Sequence, residues 1–205
     1  MIEFDKLERS NGMKYVKAAI ILLSFLAFSG CGHSINITPP LNTLDIDGVT
    51  KIDKNAGYFI SETNYELEVT TPGGGGDNVK YFPYKESEPA LKKVLSNIFK
   101  KVYKMPSETD PQYIKANDIT FIFTPEYTTD SSSESLFTWP PTKFTMTIDC
   151  KAIDKSSNVI WQTKVTGAGD AEFNEFKHDF SLAARRATKK AFAKLQDEII
   201  NSDKF

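Results

Sequence analysis

The strand signal in this chain is clearest in the stretch Thr142-Lys-Phe-Thr-Met-Thr-Ile-Asp-Cys-Lys-Ala152. Apolar and polar residues alternate along it, so one face of a strand would be buried and the other would face water. Turn residues occupy positions 154–158, and a second alternating stretch covers positions 159–166. The pattern predicts an antiparallel hairpin. We expect Gly167 and Gly169 to end its second strand.

Two amphipathic helices are predicted, one before this hairpin and one after it. Apolar residues recur at intervals of three and four between Leu91 and Val102, which predicts a helix near residues 88–103 that begins at Ser87. A second helix is predicted near residues 180–200, with Asp179 as its cap. The small alanines of its apolar stripe would let this helix lie close against a sheet.

Further strands complete the predicted fold. Residues 57–61 and 65–70 are rich in aromatic and β-branched residues and are expected to pair as a hairpin, and residues 79–84 form a third extended piece. The apolar run 119–124 is typical of an interior strand. The predicted class is α+β: a mainly antiparallel sheet of about five strands with two helices packed on one face.

The N-terminal segment predicts export and lipidation. Lys14 and Lys17 precede the uncharged apolar run 18–30, which as a helix would measure only roughly 20 Å at about 1.5 Å per residue and is too short to span a membrane. The residues Phe-Ser-Gly-Cys at positions 28–31 resemble the lipobox of bacterial lipoproteins, although an aliphatic residue is usual at position 28. The resemblance implies cleavage before Cys31 and acylation of its thiol.

These features divide the chain into three parts. Residues 1–30 are a cleaved signal peptide whose true start is Met13, because residues 1–12 are acidic where a signal sequence is basic; a long N-terminal region is the alternative. Residues 31–56 are expected to form a lipidated tether, and residues 57–205 a single α+β periplasmic domain. Gly32 follows the cysteine where an aspartate would signal inner-membrane retention, so we expect the outer membrane.

The composition is that of an ordinary globular domain. The chain has 25 basic and 27 acidic residues, a net charge of −2, which gives no indication of nucleic-acid binding. With Cys31 acylated, Cys150 is the single remaining thiol, and it is expected to be buried, with a reactive or intermolecular role as the alternative.

Few residues suggest catalysis, a metal or a cofactor. The chain has two histidines, His33 and His178, and neither has a partner at metal-ligand spacing. The glycine run 73–76 is followed by Asp77 instead of the lysine and serine or threonine of a phosphate-binding loop. The acidic residues between positions 170 and 179 lack the spacing of a calcium loop. We therefore expect no enzymatic activity, no cofactor and no bound metal.

Two segments are the candidates for contact with a partner. One is a glycine loop and the other is a polar stretch, 128–134, followed by aromatic residues and prolines. The candidate contact residues are Gly73, Gly74, Gly75, Gly76, Asp77, Phe137 and Trp139. Large aromatic residues in a loop can anchor a partner. The alternative is that Phe137 and Trp139 fold back over the core.

The C-terminal part carries a family resemblance over roughly residues 142–200. The strand ending at Asp154, the Val-Ile-Trp run at 159–161, the Gly-Ala-Gly run at 167–169 and the alanine-rich helix resemble outer-membrane lipoproteins of the YajG kind and the N-terminal domain of TolB. The resemblance implies a sheet covered by two helices and a role in envelope assembly, secretion or accessory binding.

Two functional hypotheses follow. The first is a lipid-anchored envelope module that binds, scaffolds or assembles other proteins, with the membrane and an envelope protein as its partners. The second is an envelope enzyme or small-ligand carrier with a pocket between sheet and helices near Trp139 and Trp161. A concave pocket with converging polar groups would separate them. The sequence does not predict the oligomeric state.

Overall fold

A computed structural model describes residues 32–72, 78–132 and 142–205, which belong to one compact unit, Gly32–Phe205. The strands are β1 Gly32–Ser34, β2 Ile52–Tyr58, β3 Val69–Pro72, β4 Asn78–Tyr81, β5 Phe99–Lys104, β6 Ile119–Ser132, β7 Lys143–Ile153 and β8 Val159–Asp170. The α-helices are α1 Glu62–Tyr65, α2 Pro83–Ile98, α3 Pro111–Ala116, α4 Phe173–Phe176 and α5 Leu182–Ile200, and a 3-10 helix covers Leu41–Leu44.

The larger of two sheets has five strands in the order β5-β2-β6-β7-β8. Strand β2 is parallel to both β5 and β6, whereas the pairs β6–β7 and β7–β8 are antiparallel. The predicted α+β class is therefore confirmed, and the prediction of a mainly antiparallel sheet is corrected to a mixed one. Parallel pairing arises because the chain crosses over through α2 between β2 and β5 and through α3 between β5 and β6.

A smaller sheet has three strands in the order β1-β4-β3. Its presence overturns the predicted hairpin of residues 57–61 and 65–70. Residues 62–65 are helical, with Ser61 accepting the Asn64 N–H at 3.2 Å, and β3 pairs with β4. Capping by Ser61 stabilises a helical turn at the position where a hairpin loop was expected.

The predicted hairpin of β7 and β8 is confirmed, with Lys143 opposite Asp170 and Ala152 opposite Trp161. The glycines at 167 and 169 do not end the second strand, which continues to Asp170. A Cβ at Gly167 would overlap the backbone of Ala187 and Ala191. The glycines therefore permit contact between the backbones of β8 and α5 and do not interrupt the strand.

The main hydrophobic cluster contains buried residues of α2, α5 and the large sheet. Strand β7 contributes its even-numbered residues, from Phe144 to Ala152, as the alternation predicted. The two helices are also joined by a hydrogen bond from Asn97 Nδ2 to Gln196 Oε1 at 2.8 Å. The placement of both helices on one face stays a prediction, which this shared cluster supports.

Helix α2 differs from its predicted bounds at both ends. It begins after Phe82, with Pro83 in its first turn, and it ends at Ile98. Strand β5 follows without a loop, because Phe99 adopts an extended conformation. Phe99 and Val102 continue the apolar spacing of the helix, so the sequence pattern did not reveal the change.

Residues 31–56 were expected to form a tether, but their described part, from residue 32, is folded. It contains β1, the 3-10 helix and most of β2, and it buries Ile35, Ile37 and Leu44. The Ile37 N–H donates to Glu86 Oε2 at 2.7 Å, and Asn97 Nδ2 donates to the Leu44 carbonyl at 2.7 Å. The described folded unit therefore begins at Gly32 and not near residue 57.

Cys150 is completely buried, as predicted, and its burial raises the pKa of the thiol. A buried thiol of this kind reacts poorly because the thiolate form is disfavoured. Among the described residues, no helix has the length and apolar character needed to cross a bilayer.

Candidate functional site

The candidate site is a cleft at the carboxyl ends of the parallel strands β2 and β5. The chain leaves β2 into residues 59–61 and α1, and leaves β5 into Met105 and Pro106. The Met105 N–H donates to the Tyr58 carbonyl at 2.8 Å, which holds these two exits together. The carboxyl ends of parallel strands are a common position for ligand crevices in open sheets.

The cleft has a volume of about 490 Å³. Its walls are mainly apolar and aromatic, and its charged groups lie on Glu62 and Lys104. The lining residues are Phe59, Ile60, Ser61, Glu62, Tyr65, Lys104, Met105, Pro106 and Tyr113. Such a volume and lining are typical of binding sites for small molecules or for protruding side chains of a partner.

The cleft opens where two hydrophobic clusters meet. Ile60 and Tyr65 belong to the main cluster, whereas Phe59, Met105 and Tyr113 belong to a smaller one around Ile114, Ile119, Ile122 and Ile153. The alternation of side chains along the continuation of β2 places residues 59 and 60 on opposite faces of the sheet. The cleft can therefore be reached by apolar groups without disruption of either cluster.

A polar triad supports the cleft from beneath. Tyr58 Oη donates to Glu88 Oε1 at 2.8 Å, and Lys104 Nζ lies 2.9 Å from the same oxygen. Burial, together with the hydrogen bond to Glu88, raises the pKa of the Tyr58 hydroxyl. The phenol therefore stays protonated at neutral pH and acts as a hydrogen-bond donor to the carboxylate.

The ring of Tyr65 is held between two cations. Lys104 Nζ lies 4.3 Å from the ring centroid, and Lys85 Nζ lies 5.5 Å from it. Lys85 also pairs with Glu66 at 3.5 Å. Cation–π contacts of this kind stabilise the position of the ring, and Tyr65 is one of the residues that line the cleft.

Tyr113 is positioned from the opposite side by α3. Asp110 caps this helix, because its carboxylate accepts the Tyr113 N–H at 2.9 Å, and Pro111 occupies the first turn. Gly57 lets the next layer approach, since a Cβ there would lie 2.8 Å from Met105 Sδ. Local capping and one small residue thus set the far wall of the cleft.

Two of the polar side chains in and beside the cleft are already engaged in hydrogen bonds. Glu88 is engaged by both Tyr58 and Lys104, and Ser61 is engaged in capping α1. Within residues 32–72, 78–132 and 142–205, no group of three or more His, Cys, Asp or Glu side chains is placed to hold a metal ion. The cleft offers apolar and aromatic area with a fixed cation beside it.

The acidic residues near position 175 are engaged in ion pairs. Arg186 donates to both carboxylate oxygens of Glu175, at 2.7 and 2.9 Å, and Arg185 pairs with Asp179. The hydrogen bonds from Arg186 lower the pKa of Glu175 to about 2. These contacts join α4 to α5, so they have a structural role.

The structure does not describe the site residues that were selected from the sequence. Cys31, Gly73–Asp77, Phe137 and Trp139 lie outside the described residues. Trp161, expected near a pocket, packs against Phe123 and Phe205, with ring centroids 6.1 and 5.4 Å apart. The cleft was missed because its walls come from three separate stretches, and none of these stretches carries a motif that points to a site.

Comparison with known proteins yields distant similarities of fold. No family model and no curated protein matches the chain. A Xanthomonas campestris protein of family-model DUF330 is 11% identical with a TM-score of 0.45, covering 82% of this chain and 89% of that one. A minor lipoprotein from Acinetobacter baumannii is 13% identical with a TM-score of 0.41, covering 72% and 92%. The PelC dodecamer from Paraburkholderia phytofirmans is 14% identical with a TM-score of 0.41, covering 78% and 93%. TM-scores below 0.5 at these identities assign no function.

Proposed function

We propose that this chain is a lipid-anchored protein of the bacterial outer membrane whose periplasmic domain acts as a non-catalytic binding module. The anchor is the acylated Cys31, which the basic residues and the short apolar run before it support. The binding surface is the cleft at the carboxyl ends of β2 and β5. Its partner is an envelope protein that inserts apolar side chains between Phe59, Tyr65 and Tyr113.

The observation that carries the proposal is the combination of open aromatic walls with internally paired polar groups. Phe59, Tyr65 and Tyr113 are only partly buried, and all three line the cleft together with Met105. The Glu88 carboxylate beneath them is already bonded to Tyr58 and Lys104. Burial of aromatic surface in a pocket is the usual source of binding energy at protein interfaces.

A non-catalytic role accords with the same geometry. A general base must reach the proton that it removes, and a nucleophile needs a base beside it. At this cleft Glu88 serves as the shared acceptor for a phenol and an ammonium group. Both contacts stabilise the wall of the cleft.

The small-ligand carrier is the second candidate, favoured by the cleft volume of about 490 Å³. Pockets that hold small ligands measure roughly 300–1,000 Å³. A carrier would use the same aromatic walls, so the two candidates differ in the occupant and not in the site.

The double variant Phe59→Ala/Tyr113→Ala tests the proposal. We expect partners that co-purify with the lipidated protein from native membranes to be lost, while the free energy of unfolding falls by no more than about 2 kcal/mol, because both side chains are only partly buried. Val159→Ala is the matched control, since Val159 is an exposed apolar residue outside the cleft.

The alternative outcomes are distinct. Partners recovered equally with the double variant would contradict the role of the cleft. Native mass spectrometry of the purified protein would identify a carrier: a bound mass of small-molecule size, present in the native chain and in Val159→Ala but absent from the double variant, would favour the second candidate.

A further inference from the structure

The predicted anchor, Cys31, is followed directly by the first residue of the folded unit, Gly32. Strand β1 begins at Gly32, which is paired with Asn78 in parallel register, and Ser34 is paired with Lys80. The Ile35 N–H continues this pairing by donating to the Lys80 carbonyl at 3.0 Å. Because consecutive Cα atoms lie about 3.8 Å apart, an acyl group on Cys31 is attached directly at the edge of the small sheet.

The residues after β1 cannot act as a tether either. Ile37 is completely buried, and its N–H donates to Glu86 Oε2 at 2.7 Å. The Thr38 hydroxyl donates to the Glu86 carbonyl at 2.7 Å. Two contacts to one residue of α2 thus hold this part of the chain against the domain, and no slack segment separates the anchor from the fold.

The strand register defines which part of the domain lies beside Gly32. Asn78, opposite Gly32, is also opposite Pro72, and the Thr71 hydroxyl contacts the Ser131 hydroxyl on β6. Ser132 is opposite Lys143, which is opposite Asp170. We call this end of the domain, where β3, β6 and β8 finish and β1, β4 and β7 begin, the anchor end.

An exposed aromatic residue lies at the anchor end. Phe173 follows the end of β8, is 66% exposed, and lies beside a hollow lined by Ser132 and Thr142. Its ring meets that of the buried Phe176 edge to face, with centroids 5.2 Å apart. Phenylalanine is one of the apolar residues with which peripheral proteins enter the boundary between lipid headgroups and acyl chains.

We infer that the anchor end is seated on the bilayer surface, with Phe173 in the headgroup region. The partner of this face is the phospholipid membrane, because no residue separates the lipidated Cys31 from Gly32, the first residue of β1. The inference rests on the proposed acylation of Cys31. In this arrangement the domain contacts the membrane directly, whereas the tether expected from the sequence would hold it at a distance.

Depth-dependent fluorescence quenching tests this orientation. The lipidated protein would carry a single introduced cysteine, Phe173→Cys or, with Phe173 intact, the exposed Asn174→Cys, labelled with an environment-sensitive dye. The buried Cys150 does not compete for the label. Val159→Cys is the control, because Val159 is 58% exposed and lies at the other end of β8, about 36 Å away at about 3.3 Å per residue.

The labelled proteins are reconstituted into phosphatidylethanolamine–phosphatidylglycerol vesicles that contain spin-labelled lipids. A side chain in the interface lies within roughly 5–10 Å of the acyl boundary, so we expect the dye at 173 or 174 to lose most of its fluorescence and the dye at 159 to lose almost none. A flexible linker of about ten residues inserted between Cys31 and Gly32 should abolish the quenching, since it would give a reach of roughly 17 Å.

Each other outcome contradicts a specific step. Protein that floats with the vesicles but shows no quenching at 173 and 174 overturns the orientation and leaves the anchor intact. If the native chain fails to float with the vesicles, as the Cys31→Ser variant should, both the acylation and the orientation are overturned. Protection of the dye at 173 from iodide without quenching by lipid assigns the face to a protein contact and overturns the membrane contact. Quenching unchanged by the linker overturns the role of the short connection.

Discussion

Two regions of the large sheet differ in how completely their apolar residues are covered: strand β8, and the carboxyl ends of β2 and β5. At β8, Gly167 and Gly169 bring the strand into backbone contact with α5, where a Cβ would already overlap the helix. At the carboxyl ends of β2 and β5, the large side chains of Phe59 and Tyr113 remain only partly covered. Glycines therefore allow α5 to cover β8 completely at these positions, whereas large aromatic residues line the uncovered region.

The difference follows from the length of the covering helices. Helix α5 has 19 residues and reaches β8 at both Gly167 and Gly169, whereas α1 has four residues and α3 has six. Short helices fix individual side chains but cannot cover a sheet edge. The comparison locates binding in the uncovered region and stability at β8, and three variants test this division.

The largest effect is expected from Gly167→Ala. The added methyl group would meet main-chain atoms of Ala187 and Ala191, which cannot move without displacement of α5. We expect the free energy of unfolding to fall by about 3 kcal/mol or more, at the upper end of overpacking effects. Urea denaturation measures this loss.

Ala168→Val is the matched control for that variant. It adds a larger group to the neighbouring residue, which is exposed, and should change the stability by less than about 0.5 kcal/mol. Equal effects of the two substitutions would mean that α5 does not rest on the glycines.

An intermediate effect is expected from Tyr58→Phe beneath the cleft. The variant removes the hydrogen bond to Glu88 but leaves the ion pair with Lys104, so we expect a loss of about 1.5 kcal/mol. Tyr103→Phe is the control, because the Tyr103 hydroxyl makes no hydrogen bond within the described chain segments. Equal melting temperatures of the two variants would show that the hydrogen bond between Tyr58 and Glu88 does not stabilise the cleft.

The smallest effect concerns the exposed pair of Glu175 and Arg186. The pKa of Glu175 is lowered from 4.5 to about 2, so its stabilising contribution is complete above pH 4.5 and is lost as the pH falls towards 2. We expect Glu175→Gln to be less stable than the native chain at pH 6 and equal to it near pH 2. Asp197→Asn, also exposed on α5, should follow the native pH dependence. A stability difference for Glu175→Gln that is the same at both pH values would show that the ion pair is not its source.

The sequence predicted those elements whose residues repeat one pattern over many positions. The alternation in β7 and the alanine stripe of α5 each extend over more than ten residues, so these two elements were found close to their observed bounds. Strand β8 was found too, but it continues four residues beyond the alternation that predicted it. Where an element changed without a loop, the pattern failed. Phe99 ends α2 and starts β5 because pairing with β2 stabilises an extended backbone there.

The cleft could not be predicted in the same way. Strand β2 has the sequence Ile-Asp-Lys-Asn-Ala-Gly-Tyr, whose five middle residues have a low intrinsic preference for strands. Only its position between β5 and β6 makes it a central strand. The walls at Phe59, Lys104 and Tyr113 are far apart in the chain. They come together because the chain crosses over through α2 and α3, and local sequence patterns do not show beside which strand a crossover places the next one.

The glycine contact between β8 and α5 also specifies what a related sequence must contain. Gly167 and Gly169 face main-chain atoms of Ala183, Ala187 and Ala191, residues spaced four apart along the helix. Any homologue that keeps this helix against this strand needs glycine at both strand positions, while the helix positions tolerate only small residues. The spacing Gly-x-Gly followed fourteen residues later by Ala-x-x-x-Ala-x-x-x-Ala is therefore a criterion by which distant relatives can be sought, even where overall identity is too low to align them.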